Sequence, residues 1–178
     1  MDVKNLDVFI LTYNRATKLD VMLESLCIQT ATGFNIIVVN NASTDNTIDI
    51  VNKWMNTCPD RNIKIITHKK NIGNYENFEY VHNYANNEYT AVFHDDDAIH
   101  PEYIETAMTL LKKHDAGMCT GVKSENYNID AKNWDVLNKN YYLYPKNIGI
   151  ILSLLLCRHT FQSVICKTNI YKTIPYNY

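Results

Sequence analysis

The sequence predicts an α/β fold: a mainly parallel central sheet with helices packed on both of its faces. Two observations carry this expectation. Five strand-like runs recur at nearly even spacing, at Asp7–Thr12, Phe34–Asn40, Ile63–His68, Tyr89–His94 and Met118–Val122. Helical patterns fill the intervals, and such alternation calls for parallel strands joined by right-handed crossovers.

Each helix is read from the face it would bury. Leu19, Met22, Leu23, Leu26 and Cys27 share one face of the first. Ile48, Val51, Trp54 and Met55 do so for the second, and Phe78, Val81, His82 and Ala85 for the third. Ile104, Met108 and Leu111 define the fourth. The fourth strand is a short apolar run, Tyr89 to Phe93, that reads as buried. Pro101 follows it at a position where a helix can begin.

Composition narrows the class. A chain of 178 residues is long enough for one domain with a real core, and 46% hydrophobic with 20% charged residues is a globular balance. A net charge of −2 argues against nucleic acid as a general partner. The charge is uneven, however. After Asp135 there is no Asp or Glu, only Lys139, Lys146, Arg158, Lys167 and Lys172. Such a split suits a cation site in one half and an anionic partner at the other. The cysteines (Cys27, Cys58, Cys119, Cys157 and Cys166) form no Cys-x-x-Cys pair and read as small core residues of a reducing compartment. No signal peptide precedes the first strand, and Ile148–Cys157 is too short to span a bilayer, so a cytoplasmic protein is expected.

Chemistry is expected at the carboxyl ends of the strands, where open α/β sheets bind ligands. The fourth strand delivers Asp95, Asp96 and Asp97 there. Three adjacent acids repel one another unless solvent, a cation or a partner offsets the charge. A hard divalent cation that also holds a phosphate is one such partner. A solvated turn capping the next helix is the other. The first strand ends in Thr12-Tyr13-Asn14-Arg15, with no glycine-rich phosphate loop anywhere in the chain. After the second strand, Ser43 or Thr44 can cap the following helix and Asp45 suits its positive end. Asn40 and Asn41 offer donor and acceptor together, as the edge of a nucleobase needs. Lys69–Asn74 reads as a turn with Gly73 at positive φ.

Taken in order, these residues resemble the family-2 nucleotide-sugar glycosyltransferases of the GT-A fold. The matching set runs from Phe9–Arg15 and Leu26–Thr30 through Ile37–Asp45, Asn71, Gly73 and Asn77 to Glu88–Asp97 and Pro101. The resemblance implies a nucleotide-sugar pocket bordered by Thr12, Tyr13 and Arg15, with Tyr13 against the base and Asn41 reading it. It implies Asn71, Gly73 and Asn77 in the pocket floor. Asp95 would approach the ribose, and Asp96 or Asp97 would hold Mn²⁺ or Mg²⁺. Asn40 stands where the family commonly has Asp, and His94 where many members carry the first acid of the metal-binding element.

The implied partners are a nucleoside-diphosphate sugar, most simply a UDP-sugar, and a glycan or lipid-linked acceptor, as in cell-surface polysaccharide synthesis. The implied reaction is inverting: a metal offsets charge on the departing diphosphate while a carboxylate base deprotonates the acceptor hydroxyl. One domain over residues 1–178 is expected, with 1–122 holding donor and metal and 123–178 a partial acceptor-side segment. Arg158–Ile165 resembles that segment, yet no carboxylate follows it. The expectation is therefore a truncated chain whose base lies beyond Tyr178, which binds donor but transfers sugar poorly. A non-catalytic nucleotide-sugar-binding module is the alternative. His159, Asp130 and Asp135 are the substitute bases. Tyr141–Cys157 reads either as a buried aromatic edge and helix or as a surface resting on a membrane.

Overall fold

The computed structural model describes residues 1–121 and 163–173. Strand β1 (Leu6–Thr12) leads through α1 (Ala16–Cys27) to β2 (Asn35–Asn40), and α2 (Thr47–Thr57) leads to β3 (Asn62–Thr67). Then follow α3 (Asn74–Tyr84), β4 (Tyr89–His94), α4 (Tyr103–Lys113) and the short β5 (Met118–Thr120). Strand β6 (Ser163–Lys167) and a helical turn, Thr168–Tyr171, complete the described chain.

The sheet has the order β3-β2-β1-β4-β6-β5. Strands β1 to β4 pair in parallel, as their crossover helices require. Strand β5 does not lie against β4. Strand β6 takes that place and runs antiparallel to both neighbours, so β5 again points the same way as β4. Ile165 stands opposite Ala91 and Val164 opposite Val92. The sheet is thus mixed but mainly parallel.

Side chains of a strand point alternately to its two faces, and here both faces are covered. Val8, Ile10, Ile36, Val38, Ala91 and Phe93 pack with Leu19, Leu23 and Met22 of α1 and with Ile104, Met108 and Leu111 of α4. Phe9, Ile37, Val39 and Val92 pack instead with Val81 of α3, Ala85 and Tyr171. Burial on both sides is why these strands read as continuous apolar runs.

The buried face of α2 differs from expectation. Ile48 and Met55 are 45% and 40% exposed, while Thr47, Ile50, Val51, Trp54 and Cys58 turn inward. The rotation is held from α1: Asp20 accepts hydrogen bonds from Lys53 Nζ at 2.8 Å and Trp54 Nε1 at 2.6 Å. Cys27, Cys58, Cys119 and Cys166 are free thiols. Burial pushes the Cys166 thiol up to about 12 and that of Cys119 to about 11. Burial and then the neighbouring Cys58 thiol push Cys27 to about 12. All three stay neutral at pH 7, as core residues should.

Among the described residues, no helix is long and apolar enough to cross a membrane. Val122, Asp130, Asp135, Tyr141–Cys157 and His159 lie outside the described residues, as does Arg158–Gln162 of the acceptor-like segment.

Candidate nucleotide-sugar site

The parallel register brings the carboxyl ends of β3, β2, β1 and β4 into one row. Asn40 stands beside Thr67 and Thr12, and Leu11 beside His94. The row continues past the strands, where the Asn41 N–H donates to Thr12 O and the His68 N–H to Asn40 O. Thr12–Arg15, Asn40–Asp45, His68–Asn77 and His94–Asp97 therefore share one edge of the sheet.

Two tight turns carry the chain away from β1 and β2, with positive φ at Asn14 (52°) and Ala42 (60°). Asn14 tolerates this conformation better than most residues, because its short side chain finds local partners. Its Oδ1 accepts from Thr44 N–H at 2.7 Å, and its N–H donates to Ser43 Oγ at 2.9 Å. The sequence offers Ser43 or Thr44 as the cap of α2, with Asp45 suited to the same end. Ser43 and Thr44 instead tie the β2–α2 loop to the β1–α1 loop, and Asp45 does the capping. Its carboxylate accepts the N–H and hydroxyl of Thr47 at the start of α2 and also the N–H of Ala16 at the start of α1. One acid thus caps two helices.

Burial works against ionisation of Asp45, but the hydrogen bonds from Thr47 and Ala16 overcome it and hold its pKa below the ordinary 3.8. A carboxyl depressed by folding stabilises the folded state above its unfolded pKa, and loses that effect as pH falls through the folded value. Asp45→Ala is expected to cost about 1–4 kcal/mol at pH 7, two caps of about 0.5–2 kcal/mol each. The gap to wild type should close as pH drops below about 4. Urea unfolding followed by circular dichroism at several pH values checks both statements.

The amides at the end of β2 divide the work. Asn40 is fully buried, and its Oδ1 accepts from Ser43 N–H at 2.9 Å, a turn-forming contact that faces the loop. Asn41 Nδ2 donates to Asn71 Oδ1 at 2.9 Å and to Gly73 O at 3.2 Å, while its Oδ1 accepts from Ile72 N–H at 2.9 Å. Both donors of the amide are therefore committed, and one acceptor lone pair of Oδ1 remains. Asn71 Oδ1 also accepts from Gly73 N–H. Gly73 has φ 90°, and a Cβ there would come within 2.9 Å of Glu76 Oε2. Asn77 is buried, with Oδ1 accepting from His68 Nε2 at 3.0 Å. Thr12 Oγ1 is buried and has no hydrogen-bond partner among the described residues, whereas Tyr13 is exposed.

At the end of β4 the three acids have different surroundings. Asp95 is 3% exposed and accepts from Arg15 Nη1 at 3.2 Å. Asp96 lies at the surface, within 3.3 Å of the same guanidinium and 3.5 Å of Lys18 Nζ. Asp97 is half-buried, with one carboxylate oxygen fully inside. Arg15, at the N-cap of α1, and Lys18, in its first turn, offset the mutual repulsion of the acids. Lys18 was not singled out from the sequence. Its signal was a cation in the first turn of a helix, where the macrodipole disfavours it. His94 packs its ring on Phe78, with centroids 6.1 Å apart. Among the described residues, no three His, Cys, Asp or Glu side chains are grouped to hold a metal by themselves.

The model of "Glycosyl transferase family 2" matches residues 7–169. The chain belongs to glycosyl transferase family 2. It is 31% identical over 110 residues to an uncharacterised glycosyltransferase, YibD, of Escherichia coli, which covers 62% of the chain and 31% of that protein. The chain spans about a third of the length of that curated relative. Among solved structures, S. aureus TarS 1-349 superposes with a TM-score of 0.74 at 22% identity, covering 97% of this chain and 50% of that one. Its complex with UDP-GlcNAc gives a TM-score of 0.61 at 25% identity, over 70% of this chain and 36% of that one. A mannosyltransferase from Pyrobaculum calidifontis, solved with GDP-Man and Mn²⁺, shares the fold, with a TM-score of 0.61 at 23% identity over 67% and 36% of the two chains. These glycosyltransferase structures bear out the expected α/β fold.

Proposed function

We propose that this family-2 chain binds a nucleoside-diphosphate sugar, most simply a UDP-sugar, along the β2–β1–β4 edge. It would serve glycosyl transfer to an acceptor hydroxyl. The observation that carries the proposal is one row of strand ends with a rim carboxylate, Asp96, at one side. At the other lies a buried amide oxygen, Asn41 Oδ1, with one lone pair still open. The first suits a cation beside a diphosphate, and the second suits a base-edge N–H such as that of uracil. The UDP-GlcNAc held by a structure 25% identical to this chain supports the assignment.

The donor set fits a hard divalent cation. Mn²⁺ or Mg²⁺ prefers carboxylate oxygen and usually takes one or two protein carboxylates, with substrate phosphates and water completing the shell. Asp96 and Asp97 would hold it, and grouped ligands from further side chains are not needed. When bound, the cation offsets the negative charge that grows on the departing diphosphate. The chain's own groups do the rest. Tyr13, exposed beside the strand ends, would lie against the base, and Asn41 would accept its N–H. Asp95 would face the ribose. Asn71, Gly73 and Asn77 would form the floor. Arg15 and Lys18 would turn their cationic groups to the phosphates.

The same proposal gives residues 1–122 to donor and metal and residues 123–178 to the acceptor side. The acceptor is a glycan or lipid-linked glycan in cell-surface polysaccharide synthesis, on the cytoplasmic side of a membrane, and transfer inverts the sugar carbon. The base side is tested by calorimetry with UDP, GDP, dTDP and CDP. One clear preference is expected, and Asn41→Ala should weaken the preferred nucleotide by about 1–2 kcal/mol. Equal affinity across the panel would show that Asn41 reads no base.

A further inference from the structure

We infer that Gln29 is the positioning residue of the acidic turn, holding Asp95–Asp97 where a cation and a diphosphate can meet them; the inference rests on the donor-site proposal above. Gln29 lies just beyond α1 and is 2% exposed. Its Nε2 donates to His100 O at 2.8 Å and Ser25 O at 3.0 Å, with Ile99 O at 3.5 Å. Its Oε1 accepts from Ile104 N–H at 3.2 Å. The residues on either side extend the hold. Ser25 Oγ accepts from Ile99 N–H at 3.3 Å, and Thr30 N–H donates to Pro101 O at 2.9 Å.

These contacts converge on one segment, the backbone from Ile99 to Ile104. That segment leaves the acidic turn and enters α4. Its start is fixed by β4, which ends at His94 beside β1. Its exit is fixed by Gln29, and Ile99 and Ile104 are buried there. The three acids hang between the two anchors. Gln29 is itself held from outside, since Arg61 Nη2 donates to its backbone carbonyl at 2.8 Å. The chemistry demands a carboxamide. The Ser25 carbonyl needs a donor, the His100 carbonyl takes one beside the Tyr103 N–H it already accepts, and the Ile104 N–H needs an acceptor. A carboxylate supplies only the acceptor, and an apolar chain supplies neither. Groups that orient metal-holding carboxylates without touching the metal typically alter metal affinity by about 10–100-fold.

The test compares wild type with Gln29→Met, which keeps the shape and removes the hydrogen bonds. Calorimetry measures UDP with and without Mn²⁺, and amide hydrogen exchange reads residues 95–104. The expected result is a loss of about tenfold in the Mn²⁺-dependent gain, with metal-free UDP affinity within about twofold of wild type. Exchange should quicken at residues 95–104 and stay unchanged in β1–β3. Equal losses with and without Mn²⁺, or no change in either, would overturn the inference. A wild type indifferent to Mn²⁺ would refute the metal assignment instead, and exchange alone would then decide: unaltered protection at residues 95–104 overturns the role of Gln29. Should Gln29→Met not fold, Ser25→Ala, which removes the acceptor of the Ile99 N–H, is judged by the same criteria.

Discussion

Asp96→Ala is expected to abolish the strengthening of UDP binding by Mn²⁺, a loss of about tenfold or more in the metal-dependent affinity, on the order of 1.4 kcal/mol. Of the three acids, Asp96 is the one at the surface, whereas Asp95 is buried against Arg15 and Asp97 has an oxygen buried. A cation that takes only one or two protein carboxylates loses a large share of its protein ligands with this side chain. Stability should hardly change, because exposed ion pairs such as those with Arg15 and Lys18 contribute about 0–1 kcal/mol. Metal-free UDP should bind as well or slightly better, since one negative charge facing the diphosphate is gone. That opposite movement of the two affinities separates loss of a ligand from loss of the fold.

The second large effect is expected from Arg15→Met. Arg15 is 49% exposed, but its partner Asp95 is 3% exposed and receives its charge-assisted hydrogen bond from this guanidinium. Removing one member of a fully buried pair costs about 3–5 kcal/mol, and an exposed pair about 0–1 kcal/mol. The geometry lies between, so a destabilisation of about 1–3 kcal/mol in urea unfolding is expected. Asp95→Asn in the same background should recover part of it, because the stranded charge is then removed. An additive double-mutant cycle would mean that the two residues do not share an interaction.

The parts of the fold visible in the sequence are those where burial alone dictates the pattern. β1, β2 and β4 are covered on both faces and announce themselves as apolar runs, and β3 follows the same rhythm at the sheet edge. α1, α3 and α4 each present one apolar stripe. α2 misled because two stripes compete. Val51 and Trp54 turn inward as expected, but Ile50 and Cys58 join them in place of Ile48 and Met55, and Asp20 on α1 holds Trp54 there. The place of β6 beside β4 was not legible either. Val164 to Cys166 are apolar, but pairing across so many intervening residues is set by tertiary contact.

The site divides in the same way. Asp95–Asp97, Asn41 and Gly73 stood out because strand ends and turns restrict what can sit there. The partners of the polar residues did not. Nothing local indicates that Asn14 binds Thr44, that Asp45 reaches back to α1, or that Lys18 faces Asp96. Those pairings depend on which loops the parallel register sets side by side.

The most direct test of a metal-assisted donor site is titration of the wild-type chain with UDP in Mn²⁺ and again after chelation. Binding is expected to be stronger with Mn²⁺ by about tenfold or more, with the difference removed by Asp96→Ala. Equal affinity in the two conditions would contradict a cation held by Asp96 and Asp97 at the end of β4.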